Sequence, residues 1–575
     1  MKLGSSSSRG AGGVALLLIV VAVFWIEGWK QPPQVDDAYI SYRYARNLVE
    51  GHGLVYNVGE RVEGFSNLLW TLLVAAGLAF GLQAASVAHA LALASGTVAL
   101  VATFAYASTG VDRARWWIAA IAPVLVLSWI GFPVWTFSGL ETPLFAATVA
   151  VALAAEARGR IAIAALASMV ATMTRPEGPL LAAVILGANA LRGAPLHRRR
   201  SVAWAAVYLV GLALLTGLRL WYYGSLVPNT YHAKVGFNLW AHGLGDFGRF
   251  LWGSVLPLLI PAVWVLWRDR VGRVGAVWAL AMATYIVSVG GDAFPHHRFW
   301  VPVFIVIAVL AARALIASRE ATGSRVGALP MWTFAIAAML WSVVSAKAAI
   351  VLLLCMAVAA LAGLWGARAR RAVALGGFAL AALALVVARA PWMDDARFSQ
   401  WIEAGARLLN SRVPAPAPRV KQVALLVLRS RGVSSRNAKL HETREGIRDL
   451  QERADDASAT VLERVARGEQ IDLVAAVAIG KFGYDIRLPV LDMLGLVDPH
   501  IARSPRYEPS KPVLWLAGHM RTDADYVFSR QPDYIFVPRP WSSPVRLPVH
   551  DDVWSHPRLE RDYEWDGEMR AFRRR

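Results

Sequence analysis

Asp36 and Asp37 stand side by side at the head of a segment dense in polar and aromatic residues. It runs from Val35 through Tyr39, Tyr42, Arg43, Arg46 and Asn47 to Gly51-His52-Gly53, Asn57 and Gly59-Glu60-Arg61-Val62-Glu63-Gly64. A carboxyl buried beside another negative charge has a raised pKa and can take a proton from a hydroxyl. Such a pair can also hold a divalent cation such as Mg, Mn or Ca. The plainer reading is that one aspartate caps an amphipathic surface helix over 38–49. A simple connector needs none of the other polar side chains. Tyr39, Arg43, Asn57 and Glu63 are therefore candidates for holding a substrate.

The cations come from later segments. Thr174-Arg175-Pro176-Glu177-Gly178 is a helix break carrying a charge pair. It reads as a salt bridge covering the break, or as an Arg suited to a phosphate. Pro228-Asn229-Thr230-Tyr231-His232-Ala233-Lys234 follows an apolar run and adds two cationic donors to interfacial aromatics. Gly290-Gly291-Asp292 leads to His296-His297-Arg298-Phe299. Adjacent histidines do not easily face one metal, so phosphate or sugar binding is favoured there. Ser138–Thr142 reads as a helix start with Glu141 in its first turn. In the tail, Gly480–Asp485 and Asp492–Asp498 read mainly as turns. The chain holds no P-loop, dinucleotide fingerprint, nucleophile elbow or HExxH.

The elements that must position these residues are apolar. The chain has 575 residues, 56% hydrophobic and 17% charged, with mean hydropathy +0.44. That balance excludes a cytosolic enzyme and a disordered chain. Spans are expected near 13–27, 87–107, 116–132, 140–157, 160–174, 178–192, 201–222, 248–267, 274–291, 298–318, 328–343, 347–366 and 372–390. The short run 67–82 reads as re-entrant or interfacial. The expected fold is a polytopic α-helical membrane protein of about 13 transmembrane helices, with an uncleaved N-terminal anchor. Placing the Arg-rich loops inside puts 28–66, 133–140, 174–178, 223–247, 291–298 and everything after 391 outside. Ten of the fourteen acids of residues 1–390 then lie on or near the outer side, which points to an outward-facing polar site built from several loops.

Two domains are expected: 1–390, with the outer loop 28–66, and a soluble α/β tail 391–575 entered through the Pro-Ala linker 413–418. Residues 440–468 read as helix, and 474–479, 488–491 and 534–537 as short buried strands. The net charge of +19 sits mostly in loops between apolar runs, so nucleic acid is not an expected partner. The single cysteine, Cys355, allows no disulfide or Cys-based zinc site within the chain.

The blocks 36–64, Ser138–Thr142, Arg175–Gly178, Pro228–Thr230, Gly290–Asp292 with Arg298-Phe299, and Asp492–Asp498 occur in an order that resembles the GT-C membrane glycosyltransferases. Within them the chain is most similar to the mycobacterial terminal β-(1→2)-arabinofuranosyltransferase family. The resemblance implies a polyprenyl-phosphate-linked sugar donor, with decaprenyl-phosphate arabinofuranose the best guess, and a cell-envelope glycan acceptor outside the cytoplasmic membrane. It implies a catalytic carboxylate at Asp36 or Asp37. Transfer from a lipid phosphate needs a base for the acceptor hydroxyl and cations for the departing phosphate. Arg175, His232, Lys234, His296, His297 and Arg298 are the candidates for the phosphate. Tyr39, Arg43, Asn57, Glu63, Glu177, Asn229 and Asp292 are the candidates for sugar and acceptor, with pairing to the cations the alternative for Glu63, Glu177 and Asp292. The alternatives are another lipid-linked sugar such as mannose or an aminosugar, a lipid or solute transporter, and an envelope scaffold.

Overall fold

The computed structural model describes residues 10–29, 33–192, 195–234, 239–251, 269–292, 294–322, 436–505, 520–539 and 547–575, with residues 254 and 258 between. The expected spans 328–343, 347–366 and 372–390, most of 248–267, Cys355 and the linker 413–418 lie outside the described residues.

The helices are α1 (Ala11–Gly28), α2 (Asp36–Val49), α3 (Leu68–Ala79), α4 (Ala84–Ala107), α5 (Thr142–Ala157), α6 (Ile161–Thr174), α7 (Gly178–Arg192), α8 (Pro195–Tyr223), α9 (Asn229–Lys234), α10 (Trp240–Phe250), α11 (Arg270–Ser288) and α12 (Val301–Thr322). Among the described residues, five helical stretches are long and apolar enough to cross a membrane: Ala11–Gly28, Ala84–Ala107, Pro195–Tyr223, Val271–Ser288 and Arg298–Ala317. Helices α5, α6 and α7 are apolar but shorter, at 16, 14 and 15 residues. Helix α5 lies between α4 and α6. Its buried alanines 146, 147, 150, 152, 154 and 155 let the helix axes approach closely.

One expected span is not a single helix. Residues 113–136 form a 3₁₀ turn and three short helices, Trp116–Ala119, Ile121–Ser128 and Gly131–Thr136. Pro123 cannot donate to the Ala119 carbonyl, so the helix restarts near Ala120. Trp129 is extended at ψ 127 and stacks on Phe304 at 4.4 Å.

Helix α2 is not a surface helix. Ten of its fourteen residues are buried. Its N-cap is Val35, without side-chain capping, so neither aspartate serves as the cap. It ends in a Schellman motif: His52 N–H donates to Asn47 O at 2.9 Å and Gly51 N–H to Leu48 O at 3.2 Å. Gly51 supplies the positive φ of +86° that this ending requires.

The C-terminal residues form α13 (Arg436–Ala466), α14 (Lys481–Ile486) and a five-stranded sheet of order β2-β1-β3-β5-β4. Strands β1 (Val474–Ala476), β2 (Val490–Asp492) and β3 (Tyr534–Phe536) are parallel. Strands β4 (Tyr563–Asp566) and β5 (Ala571–Arg574) form an antiparallel hairpin, with β5 paired to β3. Both faces of the sheet are covered, as expected of parallel strands. Ala475 and Ile535 face one apolar cluster with Val527 and Phe528. Val474, Ala476 and Tyr534 face another, which also contains Ile40, Tyr44, Tyr56 and Phe65. Residues 40–65 and the C-terminal sheet thus share one core.

Candidate functional site

Asp36 and Asp37 are the first two residues of α2, so their side chains point about 100° apart around its axis. That separation divides them. Asp36 faces the C-terminal residues: its Oδ2 accepts from Gly480 N–H at 2.9 Å and its Oδ1 from Lys481 N–H at 2.8 Å. Asp37 faces the other way, with its side chain 30% exposed and Oδ2 3.9 Å from Arg298 Nη1.

Burial pushes the Asp36 carboxyl up to about 6, aided by the Asp37 charge and opposed by the two N–H donors and Lys481. This lies above the ordinary 3.8, so protonation favours the folded state. The Asp36 contribution to stability is fully present below pH 3.8 and is lost as the pH rises through about 6. Asp36→Asn is expected to flatten the pH dependence of thermal unfolding in detergent between these limits. An unchanged slope in the variant would contradict the assignment.

Arg298 is held from below. Asp292 grips it through two hydrogen bonds, Nε to Oδ2 at 3.0 Å and Nη2 to Oδ1 at 3.1 Å. Its guanidinium lies over Phe294 at 4.7 Å and Phe299 at 4.9 Å. This leaves Nη1 directed toward Asp37. Lys234, the last residue of α9, makes no hydrogen bond or ion pair among the described residues. Its charge is coupled to Asp37, Arg298, Asp292 and Arg175. It is accessible, yet burial pulls its ammonium below the ordinary 10.5.

Arg175 is set by the proline that follows it. Pro176 keeps Arg175 extended, at φ −151 and ψ 149. The guanidinium meets Glu177 at 3.1 Å through both Nε and Nη2, and Glu141 at 2.6 Å through Nη1. Glu141 also accepts from Asn67 at 2.9 Å. The phenyl ring of Phe299 lies 4.8 Å from this guanidinium as well as 4.9 Å from that of Arg298. Glu141 and Asn67 carry this network, and of the two only Asn67 was not singled out by sequence. The Glu141 block was visible, but its carboxylate reaches Arg175 rather than serving its own helix start.

Most of the expected sugar and acceptor contacts are spent inside the protein. Arg43 donates to the carbonyls of Tyr56, Gly483 and Leu488 and to Asn57. Asn57 bonds both backbone groups of Val490, at 2.9 and 3.0 Å. Asn229 donates to the carbonyls of Gly495 and Leu496 and accepts from Arg503. Glu63 accepts from Arg219 at 2.7 Å. Glu177 and Asp292 are the bidentate partners of Arg175 and Arg298. Tyr39 accepts from Gln451 and sits beside Lys481. Tyr39, Arg43, Asn57 and Glu63 thereby join the segment 33–67 to later parts of the chain.

Two of the histidine candidates for the phosphate have other neighbours. His232 lies two residues from Lys234 on a helix, hence on another face, and feels Arg503 and Arg521. His297 approaches Asp246 at 3.4 Å, and Asp246 accepts from Trp300 at 2.8 Å. His296 and His297 both have positive φ, 61° and 60°, in the turn before Arg298. In the C-terminal part, Asp492 accepts from Leu494 and Val497 N–H, both at 2.9 Å, and Asp498 caps the next helix. The turn reading of that block matches the geometry.

The aspartate pair already has donors and cations of the protein around it. Both Asp36 oxygens already accept hydrogen bonds, and the Asp37 side faces Arg298 and Lys234. No group of three His, Cys, Asp or Glu suited to a metal occurs among the described residues.

The sequence is 29% identical over 276 residues to a terminal β-(1→2)-arabinofuranosyltransferase of Mycobacterium tuberculosis, covering 43% of each chain. It is 27% identical over 346 residues to the one of Corynebacterium glutamicum, covering 51% of this chain and 50% of the other. The chain is similar to the terminal arabinofuranosyltransferases. It spans about half the length of these curated relatives. A family described only as a domain of unknown function (DUF8728) matches residues 447–573, the part that meets α2. Among solved structures, ArnT from Cupriavidus metallidurans bound to undecaprenyl phosphate aligns with TM-score 0.46 and 18% identity, over 84% of this chain and 86% of that one. The Archaeoglobus fulgidus oligosaccharyltransferase aligns with TM-score 0.36 and 15% identity, over 58% and 52%.

Proposed function

We propose that the protein is a membrane glycosyltransferase that moves a sugar from a polyprenyl-phosphate donor to a cell-envelope glycan on the outer face of the cytoplasmic membrane. Arabinofuranose is the favoured sugar, because both curated relatives transfer it by name. The observation that carries the reading is the grouping of one partly exposed carboxylate, Asp37, with two cations, Arg298 and Lys234. In this reading Asp37 takes the proton from the acceptor hydroxyl. The acceptor oxygen then attacks the anomeric carbon, and the bond from that carbon to the phosphate oxygen breaks. The phosphate leaves with its electron pair, gaining negative charge that Lys234 and Arg298 meet. No acid is needed for the leaving group.

The test is transfer of radiolabel from decaprenyl-phosphate arabinofuranose to an arabinan oligosaccharide, with the protein in nanodiscs. Failure with this donor but transfer from another lipid-linked sugar would keep the reaction class and change the sugar. Failure of a full donor panel, together with no binding of the lipid phosphate, would leave the transporter reading. In the active system Lys234→Gln is expected to lower kcat/KM for the donor about 10- to 100-fold, the scale of a lost charge-assisted hydrogen bond. An unchanged kcat/KM would remove Lys234 from the phosphate site.

A further inference from the structure

Asp36 is the one residue of the aspartate pair whose carboxylate is fully engaged by protein. Its two oxygens accept from successive backbone N–H groups, Gly480 and Lys481, across more than 440 positions of sequence. The contact is close on the other side as well. A methyl group on Gly480 would overlap the Asp36 carbonyl, and Gly480 has a negative φ of −66°. Glycine is needed there for space rather than for backbone conformation. Lys481 is itself fixed through ion pairs to Asp455 on α13 and Asp485 on α14. Gln451 of α13 donates both to the Gln34 carbonyl, just before α2, and to Tyr39 Oη, about one turn into it.

We propose that Asp36 is a positioning residue, a pin through which the C-terminal domain orients Asp37 toward the donor phosphate. This rests on the glycosyltransferase reading and assigns the pair unequal tasks. The first turn of α2 has no side-chain cap; it is held by the Val35 N–H bond to the Ser138 carbonyl behind it and by what grips Asp36. With Asp36 held by Gly480 and Lys481, the neighbouring Asp37 is turned toward Arg298. Release of the pin lets the first turn fray and moves the base away from the acceptor hydroxyl. A displacement of about 1 Å at a reacting group costs on the order of 100-fold in rate. The C-terminal domain is then part of the catalytic apparatus although none of its side chains need touch the sugar.

The experiment is a double-mutant cycle of Asp36→Asn and Gly480→Ala in the full-length protein, with kcat and donor KM measured separately. Each single variant is expected to lower kcat by about 10- to 100-fold with donor KM little changed. The double variant is expected to be no slower than the slower single one, because both break the same contact. Hydrogen exchange gives a readout that needs no substrate. The Gly480 and Lys481 amides should be protected in the wild type and exposed in Asp36→Asn, with protection of β1 and β3 retained as the folding control. Wild-type rates in Gly480→Ala, or unchanged exchange at 480–481 in Asp36→Asn, would overturn the pin. A far larger loss in Asp36→Asn than in Gly480→Ala, with additive effects, would make Asp36 the base itself. Absence of transfer by the wild type would count against the glycosyltransferase reading, while the exchange result would still decide whether Asp36 holds the two domains together.

Discussion

Asp37→Asn is expected to give a folded protein whose transfer rate is reduced by about 100- to 10,000-fold. That range is what a positioned general base contributes. The amide keeps the size of the carboxylate but cannot accept the hydroxyl proton. Folding should survive, because Asp37 is 30% exposed and makes only a long approach to Arg298, 3.9 Å. Donor binding should change little or tighten, since a negative charge is removed beside the phosphate cations. The measurement is single-turnover transfer at saturating donor, alongside donor affinity from competition with unlabelled polyprenyl phosphate. A variant that keeps a third of the wild-type rate would mean that the base lies elsewhere.

The largest expected loss of stability comes from Arg175. Its guanidinium is buried and holds Glu177 and Glu141 together. Arg175→Met is expected to destabilise the protein by about 3–5 kcal/mol, the cost of leaving buried charge without a partner. Two carboxylates would then share one region with Asn67 as the remaining donor to Glu141. Thermal unfolding followed by size-exclusion chromatography in detergent reads this directly. Adding Glu141→Gln and Glu177→Gln to Arg175→Met should restore part of the loss, because it removes the charges that were stranded. Unfolding of Arg175→Met at the wild-type temperature would show that the network carries no such load. A catalytic contribution of Arg175 through a phosphate would appear instead as lost activity at normal stability.

The apolar runs of the chain foretold α1, α4 and α8 because long helices in lipid leave an uninterrupted hydrophobic signal. The same signal misled at 116–132, where Pro123 and Pro133 divide an apolar stretch into short helices. Helix α13 and the three parallel strands were visible in their periodicity. The β4–β5 hairpin was not singled out, although Tyr563 and Trp565 alternate with Glu564 and Asp566. The candidate site was legible in its ingredients, as paired aspartates, Lys234 and Arg298, but the sequence did not show that Asp36 meets Gly480 and Lys481 while Asp37 approaches Arg298. Arg43, Asn57 and Asn229 looked like substrate contacts because they are polar residues in a loop. Their partners are mostly backbone carbonyls and N–H groups at 483, 488, 490, 495 and 496. Backbone groups are the same at every position, so no side-chain pattern announces them.

The core shared between residues 40–65 and the C-terminal sheet sets an order of events during synthesis. Arg43 and its partner Gly483 are 440 positions apart. At translation rates of about 5–20 residues per second, the first leaves the ribosome some 20–90 s before the second. Throughout that interval Ile40, Tyr44, Tyr56 and Phe65 lack the surface they bury against, and the Arg43 donors lack two of their carbonyls. The nascent chain therefore passes through a stage in which its apolar helices can assemble while the loop that carries Arg43 remains open. Truncation near the C-terminus would trap the chain at that stage, exposing aromatic side chains to proteases and to other unfinished chains.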